Sequence, residues 1–167
     1  METLTYNTTV QLPVEKINLY EWITTVSDKE YQSFSKGHKA MGLFKDKNTE
    51  GIVNIESIGG NLLINHYNIL TKDSDHVVMQ SEKSDAYLSH IIHFHVWVEW
   101  KMKVVFKNNN SSTFTCEVST DYSNKFLAVA AKLSVANYFL QKHINEEGEN
   151  FARSIELRFN ESQQMAV

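Results

Sequence analysis

From about residue 39 to residue 121 the sequence reads as strand after strand, and from Asn124 it becomes a long, proline-free stretch rich in Ala and Leu. A chain with many antiparallel strands followed by one long helix has few ways to bury both. A half-buried sheet hides one face, and the long helix is the obvious element to cover it. The strand signals are local. "GIVNIESI" is separated from "NLLINHYNIL" by Gly59–Gly60, a hairpin signature. "KDSD" turns into "HVVMQSE", a loop is expected around 83–92, and "HFHVWVEWKMKVVF" follows in strict alternation before "NNNSS" turns the chain into "TFTCEVST". On the helix, Phe126, Val129, Ala130, Leu133, Leu140 and Ile144 form one apolar stripe.

Upstream, "LTYNTTVQL" alternates as a first strand. Leu19, Trp22, Ile23 and Val26 then share one face of a short helix. Ser27 and Glu30 make a capping box for a second, "DKEYQSF", and Gly37 in "SKGHKAM" is free to turn a loop into the next strand. The expected fold is α+β: a curved antiparallel sheet of about seven strands wrapped on a long C-terminal helix, with two short helices after the first strand. One domain is expected over 1–160, with a frayed polar tail over 161–167. This element order resembles the helix-grip fold of the START-domain and birch-pollen-allergen superfamily. That resemblance implies a cavity between sheet and helix for a small hydrophobic or aromatic molecule.

Composition narrows the function. Twenty acidic against sixteen basic residues, a net charge of −4, argue against a nucleic-acid partner. No window approaches the roughly 18 apolar residues of a membrane span, and "METLTYNTTVQL" lacks the pattern of a secretory signal. Cys116 is the only cysteine, which excludes an internal disulfide and thiolate zinc clusters and fits a reducing cytoplasm. Any metal must therefore be held by His and carboxylate. Exposed sheet edges could pair in a homodimer.

The chain has seven histidines. His93, His95 and Glu99 share a strand face with Lys101, Lys103 and Lys107, opposite Phe94, Val96, Val98, Trp100, Met102, Val104 and Phe106. They read as a solvated sheet surface. His143 and Glu147 are one helical turn apart. At about 100° per residue, Glu147 falls about 30° and His143 about 70° from the centre of the apolar stripe. Either that carboxylate is paired or binds a cation, or the helix end overhangs the sheet and is wet. Glu56 shares a face with Ile52, Asn54 and Ile58, and the opposite face, with Val53 and Ile55, is equally apolar. His38 lies in the loop after the second short helix, within reach of a cavity mouth.

Together, the His of "KGHKAM", the Glu of "NIESIGG" and the His-x-x-x-Glu of "QKHINEE" resemble the metal-ligand pattern of the diacetylphloroglucinol hydrolase and phloretin hydrolase family. Those zinc-dependent helix-grip enzymes cleave the carbon–carbon bond between an aromatic ring and an acyl group. The resemblance implies one divalent metal, expected to be Zn2+, held by His38, Glu56, His143 and Glu147. Such a metal polarises a carbonyl or lowers the pKa of a bound water towards about 7. The departing ring carbon needs a proton, from a cavity acid or from that water. Tyr31, seven residues before His38, is placed to meet a phenolic oxygen. His66 shares a face with Leu62, Ile64 and Leu70, as a cavity residue or a satisfied core histidine. Trp100 and Met102 are expected to line the substrate site. Two other functions suit the fold. One is a non-catalytic carrier with a cavity lined by Trp22, Phe94, Trp100, Met102 and Phe106. The other is a polyketide cyclase or dehydratase using His66 as acid–base.

Overall fold

The computed structural model describes residues 1–122 and 136–164. Strand β1 (Glu2–Val10) leads through a 3-10 turn (Val14–Lys16) to α1 (Leu19–Thr25) and α2 (Asp28–Phe34). Six strands follow: β2 (His38–Lys45), β3 (Glu50–Ile58), β4 (Asn61–Lys72), β5 (His76–Leu88), β6 (Ile92–Asn108) and β7 (Ser111–Tyr122). The described chain closes on α3 (Ala136–Gln164). The fold is α+β, as the element order implies.

The seven strands form one antiparallel sheet in the order β1-β7-β6-β5-β4-β3-β2. β1 closes one edge against β7, so the segment carrying α1 and α2 must cross to reach β2 at the other edge. Register shifts between Ser81 and Ser84 and between Ile64 and Asn68 mark bulges, which bend the strands that carry them. The β3–β4 hairpin turns on Gly59 and Gly60 at φ +57° and +80°, both in the left-handed region that a two-residue turn of this hand requires.

On β6, Val96, Val98, Trp100, Met102 and Val104 are buried in alternation, which fixes the inner face. α3 covers it with Ile144, Phe151, Ala152, Ile155 and Phe159. Trp22 of α1 meets Phe151 edge-on with ring centroids 5.2 Å apart, and Phe34 of α2 meets the same ring at 5.1 Å. Ser27 caps α2 by accepting the Glu30 N–H at 3.2 Å. The Glu30 carboxylate, the other half of the expected box, instead takes Ser154 Oγ at 2.7 Å and Arg158 at 2.6 Å, tying α2 to α3.

Several expectations are corrected. No loop spans 83–92: past its bulge β5 runs on to Leu88, and the turn is made by Ser89 and His90 at φ 51° and 61°, without glycine to announce it. α3 runs to Gln164. Phe106 is 63% exposed, where β6 runs past its cover and its register with β7 shifts. Of the predicted helix stripe, Leu140 and Ile144 lie on α3, whereas Phe126, Val129, Ala130 and Leu133 lie outside the described residues. No described helix is long and apolar enough to cross a membrane.

Candidate metal centre

His38, Glu56, His143 and Glu147 converge, each buried, with one ligand atom from each lying within 4.8 Å of all the others. Three parts of the fold bring them together. His38 opens β2 and pairs in register with Glu56 on β3. His143 and Glu147 come from successive turns of α3.

The hydrogen bonds around these side chains settle which atoms face inward. His38 Nδ1 lies 2.7 Å from the backbone carbonyl of Tyr31. A carbonyl only accepts, so Nδ1 carries a proton and Nε2 is the inward atom, which donates to Glu147 when it is protonated and offers a lone pair to a cation when it is not. That Nε2 is 3.1 Å from Glu147 Oε2. His143 Nδ1 lies 3.0 Å from Ser35 Oγ, whose hydroxyl donates to Glu146 at 3.2 Å and also accepts the Gly37 N–H at 3.1 Å. The remaining role for Ser35 is to accept from Nδ1, which leaves His143 Nε2 as the inward atom. It is buried without a hydrogen-bond partner, 3.4 Å from Glu147 Oε2 and 3.9 Å from Glu56 Oε2. Glu56 is held by its other oxygen: Oε1 accepts from the Tyr31 hydroxyl at 2.6 Å and from Asn54 Nδ2 at 2.7 Å. Asn65 steadies Asn54 from β4 at 2.7 Å. The Tyr31 ring stacks on His38 at 3.9 Å, with 2° between planes.

Four electron-pair donors thus point at one spot, and two of them are carboxylates. Buried charge of one sign is costly unless a counter-charge sits with it. In the metal-free protein a proton plays that part. Burial works to lower the pKa of His143, but Glu147, then Glu56 and Glu146, outweigh it and raise it to about 9. Burial likewise favours the neutral acid at Glu147, and His143 and His38 overcome it, lowering its pKa to about 2. A divalent cation fits the donor set better. Two neutral imidazoles and two carboxylates around a dication sum to zero charge. The separations of 3.1, 3.4 and 3.9 Å bracket the edge of about 3.3 Å that zinc bonds of about 2.0–2.1 Å imply for a tetrahedron.

Glu56, His143 and Glu147 also form part of the wall of a cavity of about 300 Å3 between sheet and helix, whereas His38 lies behind it. Leu63, Phe94, Val98, Trp100, Leu140 and Ile144 make the wall largely apolar. The cluster is therefore accessible from one side to whatever enters the cavity.

The sequence-derived substrate residues divide. Trp100 lines the cavity and donates its indole N–H to Cys116 Sγ at 3.2 Å. Met102 is fully buried on the same strand face but in core packing, outside the cavity wall. Trp22 belongs likewise to the core around Phe34 and Phe151. Tyr31 is not a cavity residue: its hydroxyl is engaged by Glu56 and Asn54. His66 is on the outer, exposed face of β4, with Leu70 beside it at 57% exposure. The inner face of that strand carries Leu63, Asn65, Tyr67 and Ile69. Tyr67, Asn54, Asn65 and Ser35 are the site residues that sequence reasoning missed. The available signal was a run of polar residues at alternate positions, Asn54 and Glu56 on one strand and Asn65 and Tyr67 on the next.

His93 and His95 lie on the solvated face as expected, where both approach Asp85 Oδ1, at 2.7 and 3.3 Å. His93 and His95 are exposed and Asp85 is half-buried, so water screens their charge. Nothing there requires a cation.

Fold and cavity together define a helix-grip protein. The sequence matches no family model and no curated protein. Solved structures do match over nearly the whole chain. A START superfamily protein from Mycobacterium smegmatis has a TM-score of 0.58 at 12% identity, covering 95% of this chain and 97% of its own. The Zhui aromatase/cyclase from a Streptomyces species has a TM-score of 0.56 at 10% identity, covering 95% and 93%. Norcoclaurine synthase from Thalictrum flavum has a TM-score of 0.54 at 10% identity, covering 91% and 84%. At such identities the likeness is one of fold.

Proposed function

We propose that the protein is a divalent-metal enzyme, with zinc as the expected ion, that hydrolyses the bond between an aromatic ring and an acyl carbon in a small acylated phenol. The supporting observation is the convergence of His38, Glu56, His143 and Glu147 at the wall of an apolar cavity. Four protein donors would fill the tetrahedron of a structural zinc, so the catalytic reading rests on the cavity beside Glu56, His143 and Glu147, from which a ligand oxygen would have to reach the metal as a further donor. When bound, the metal supplies Lewis acidity towards a ketone oxygen.

The chain's own groups account for the rest. Tyr31 and Ser35 orient ligands from behind, through Glu56 Oε1 and His143 Nδ1. The apolar wall excludes water from the aromatic ring and strengthens the electrostatics of the carboxylates beside it. The overall reaction balances as aryl ketone plus water giving arene plus carboxylic acid, and the ring carbon takes up one proton.

A second reading, a metal-independent cyclase or a binding protein in the same cavity, is favoured by the aromatase/cyclase and synthase names among the structures of like fold. Its expected acid–base residue, His66, is on the exposed face, which weakens the catalytic form of that reading.

The test is turnover of 2,4,6-trihydroxyacetophenone, followed as acetate and trihydroxybenzene. The hydrolase reading expects turnover that stops on chelation and returns with zinc. Turnover that persists in chelated protein, or zinc-loaded protein that cleaves no acylphenol, overturns it.

A further inference from the structure

We infer that the Tyr67 hydroxyl is the hydrogen-bond anchor of the cavity, donating to a ketone or phenolate oxygen of an aromatic ligand whose ring lies against Trp100. The inference deepens the function proposed above by naming what recognises the ligand, and its binding half stands without a metal.

Three observations carry it. Tyr67 is on the inner face of β4, 3% exposed, and lines the cavity. Its ring centroid is 5.8 Å from that of Trp100, with 53° between planes, so the two rings frame a corner for a third. Its hydroxyl makes no hydrogen bond among the described residues, in contrast to Tyr31, which Glu56 and Asn54 engage. The hydroxyl is not sealed in the core, since the fully buried side-chain atoms without a partner are Asn65 Oδ1 and His143 Nε2 among the described residues; it meets the open space of the cavity and is free to bond what occupies it.

The other polar groups of the wall do not compete for this role. Tyr122 bonds Thr120, Asn61 accepts the Ser89 N–H, Tyr87 packs its ring on exposed His93 at 4.8 Å, and Glu56, His143 and Glu147 belong to the cluster. Burial, reinforced by the charges of Glu56 and Glu147, keeps the Tyr67 phenol well above its ordinary pKa. It therefore stays a neutral O–H donor at physiological pH and selects an acceptor on the ligand. A cavity of about 300 Å3 suits a compact aromatic molecule rather than a long chain.

Tyr67→Phe keeps the ring and deletes the donor. Acetophenone and ethylbenzene are close in shape and differ in the carbonyl oxygen. Binding of both is measured calorimetrically to wild type and Y67F, with the protein as purified and after chelation, and metal content is determined on the same samples. Wild type should prefer acetophenone, and Y67F should lose about tenfold for acetophenone while ethylbenzene stays within about twofold. Unchanged acetophenone affinity, equal losses for both probes, or wild type that binds neither overturns the assignment. Metal content should be the same in Y67F. A tenfold loss that survives in metal-free protein supports the anchor even if the metal reading fails.

Discussion

Gly37→Ala tests the proposed metal centre through a residue that is not itself one of the four donors. A Cβ at position 37 would lie 2.9 Å from both Cε1 and Nδ1 of His143 and 3.2 Å from the Ser57 carbonyl oxygen. Non-bonded carbon contacts are comfortable at about 3.5–4.0 Å, so one side must yield by roughly 0.6–1 Å. The backbone side is pinned. Gly37 O accepts the Ser57 N–H at 2.8 Å, and Gly37 N–H donates to Ser35 Oγ at 3.1 Å. The imidazole is the part that moves, and its Nε2 moves with it. Metal–ligand distances tolerate only about 0.2 Å. Disturbing what holds a ligand in place typically costs about 10–100-fold in metal affinity, or about 1.4–2.7 kcal/mol. Overpacking itself should cost about 1–3 kcal/mol of stability. Zinc affinity is read by competition with a chromophoric chelator, beside urea unfolding of the chelated protein. Gly42→Ala is the control, because nothing lies within 4 Å of its Cβ position. A folded G37A with zinc affinity within about twofold of wild type would refute the argument.

Two further outcomes follow from the same geometry. Tyr31→Phe removes the hydroxyl that fixes Glu56 Oε1 and should weaken zinc binding by about 10–100-fold, again by chelator competition; unchanged affinity would mean that Asn54 alone orients the carboxylate. In chelated protein, the raised pKa of His143 contributes stability that is full below about pH 6.5 and is lost as pH rises through about 9. The lowered pKa of Glu147 contributes stability present above about pH 4.5 and lost as pH falls through about 2. The alkaline loss should amount to about 3 kcal/mol in urea titrations and be absent from His143→Gln; identical profiles for the two proteins would contradict it.

The fold was legible because its signals were local: Gly59–Gly60 turns the hairpin it announces, and the alternation on β6 gives the correct inner face from Val96 to Val104. The site was legible only in combination. Glu56 sits on a strand whose two faces are equally apolar, so periodicity left its direction open until Asn54 and Glu56 proved to be the buried pair. β4 misled for the same physical reason. Alternation reads apolar residues as inward, but here Ile64 and Leu70 share the face of exposed His66, Leu62 reaches the cavity wall only at the strand's end, and the buried side carries Asn65 and Tyr67. Polar groups buried against that rule need partners, and Tyr31, Asn54, Glu56 and Asn65 supply them to one another. Gly37 does sit in the turn before β2, as its sequence context indicates, and its lack of a side chain also lets His143 approach the backbone, which no local pattern encodes.

The most direct measurement is a zinc titration by calorimetry into chelator-stripped wild type and His143→Ala. We expect one tight equivalent in wild type that is lost in His143→Ala, with any weak binding at exposed His93 and His95 unchanged. No tight equivalent in wild type, or one that survives in His143→Ala, would contradict a metal centre built on His38, Glu56, His143 and Glu147.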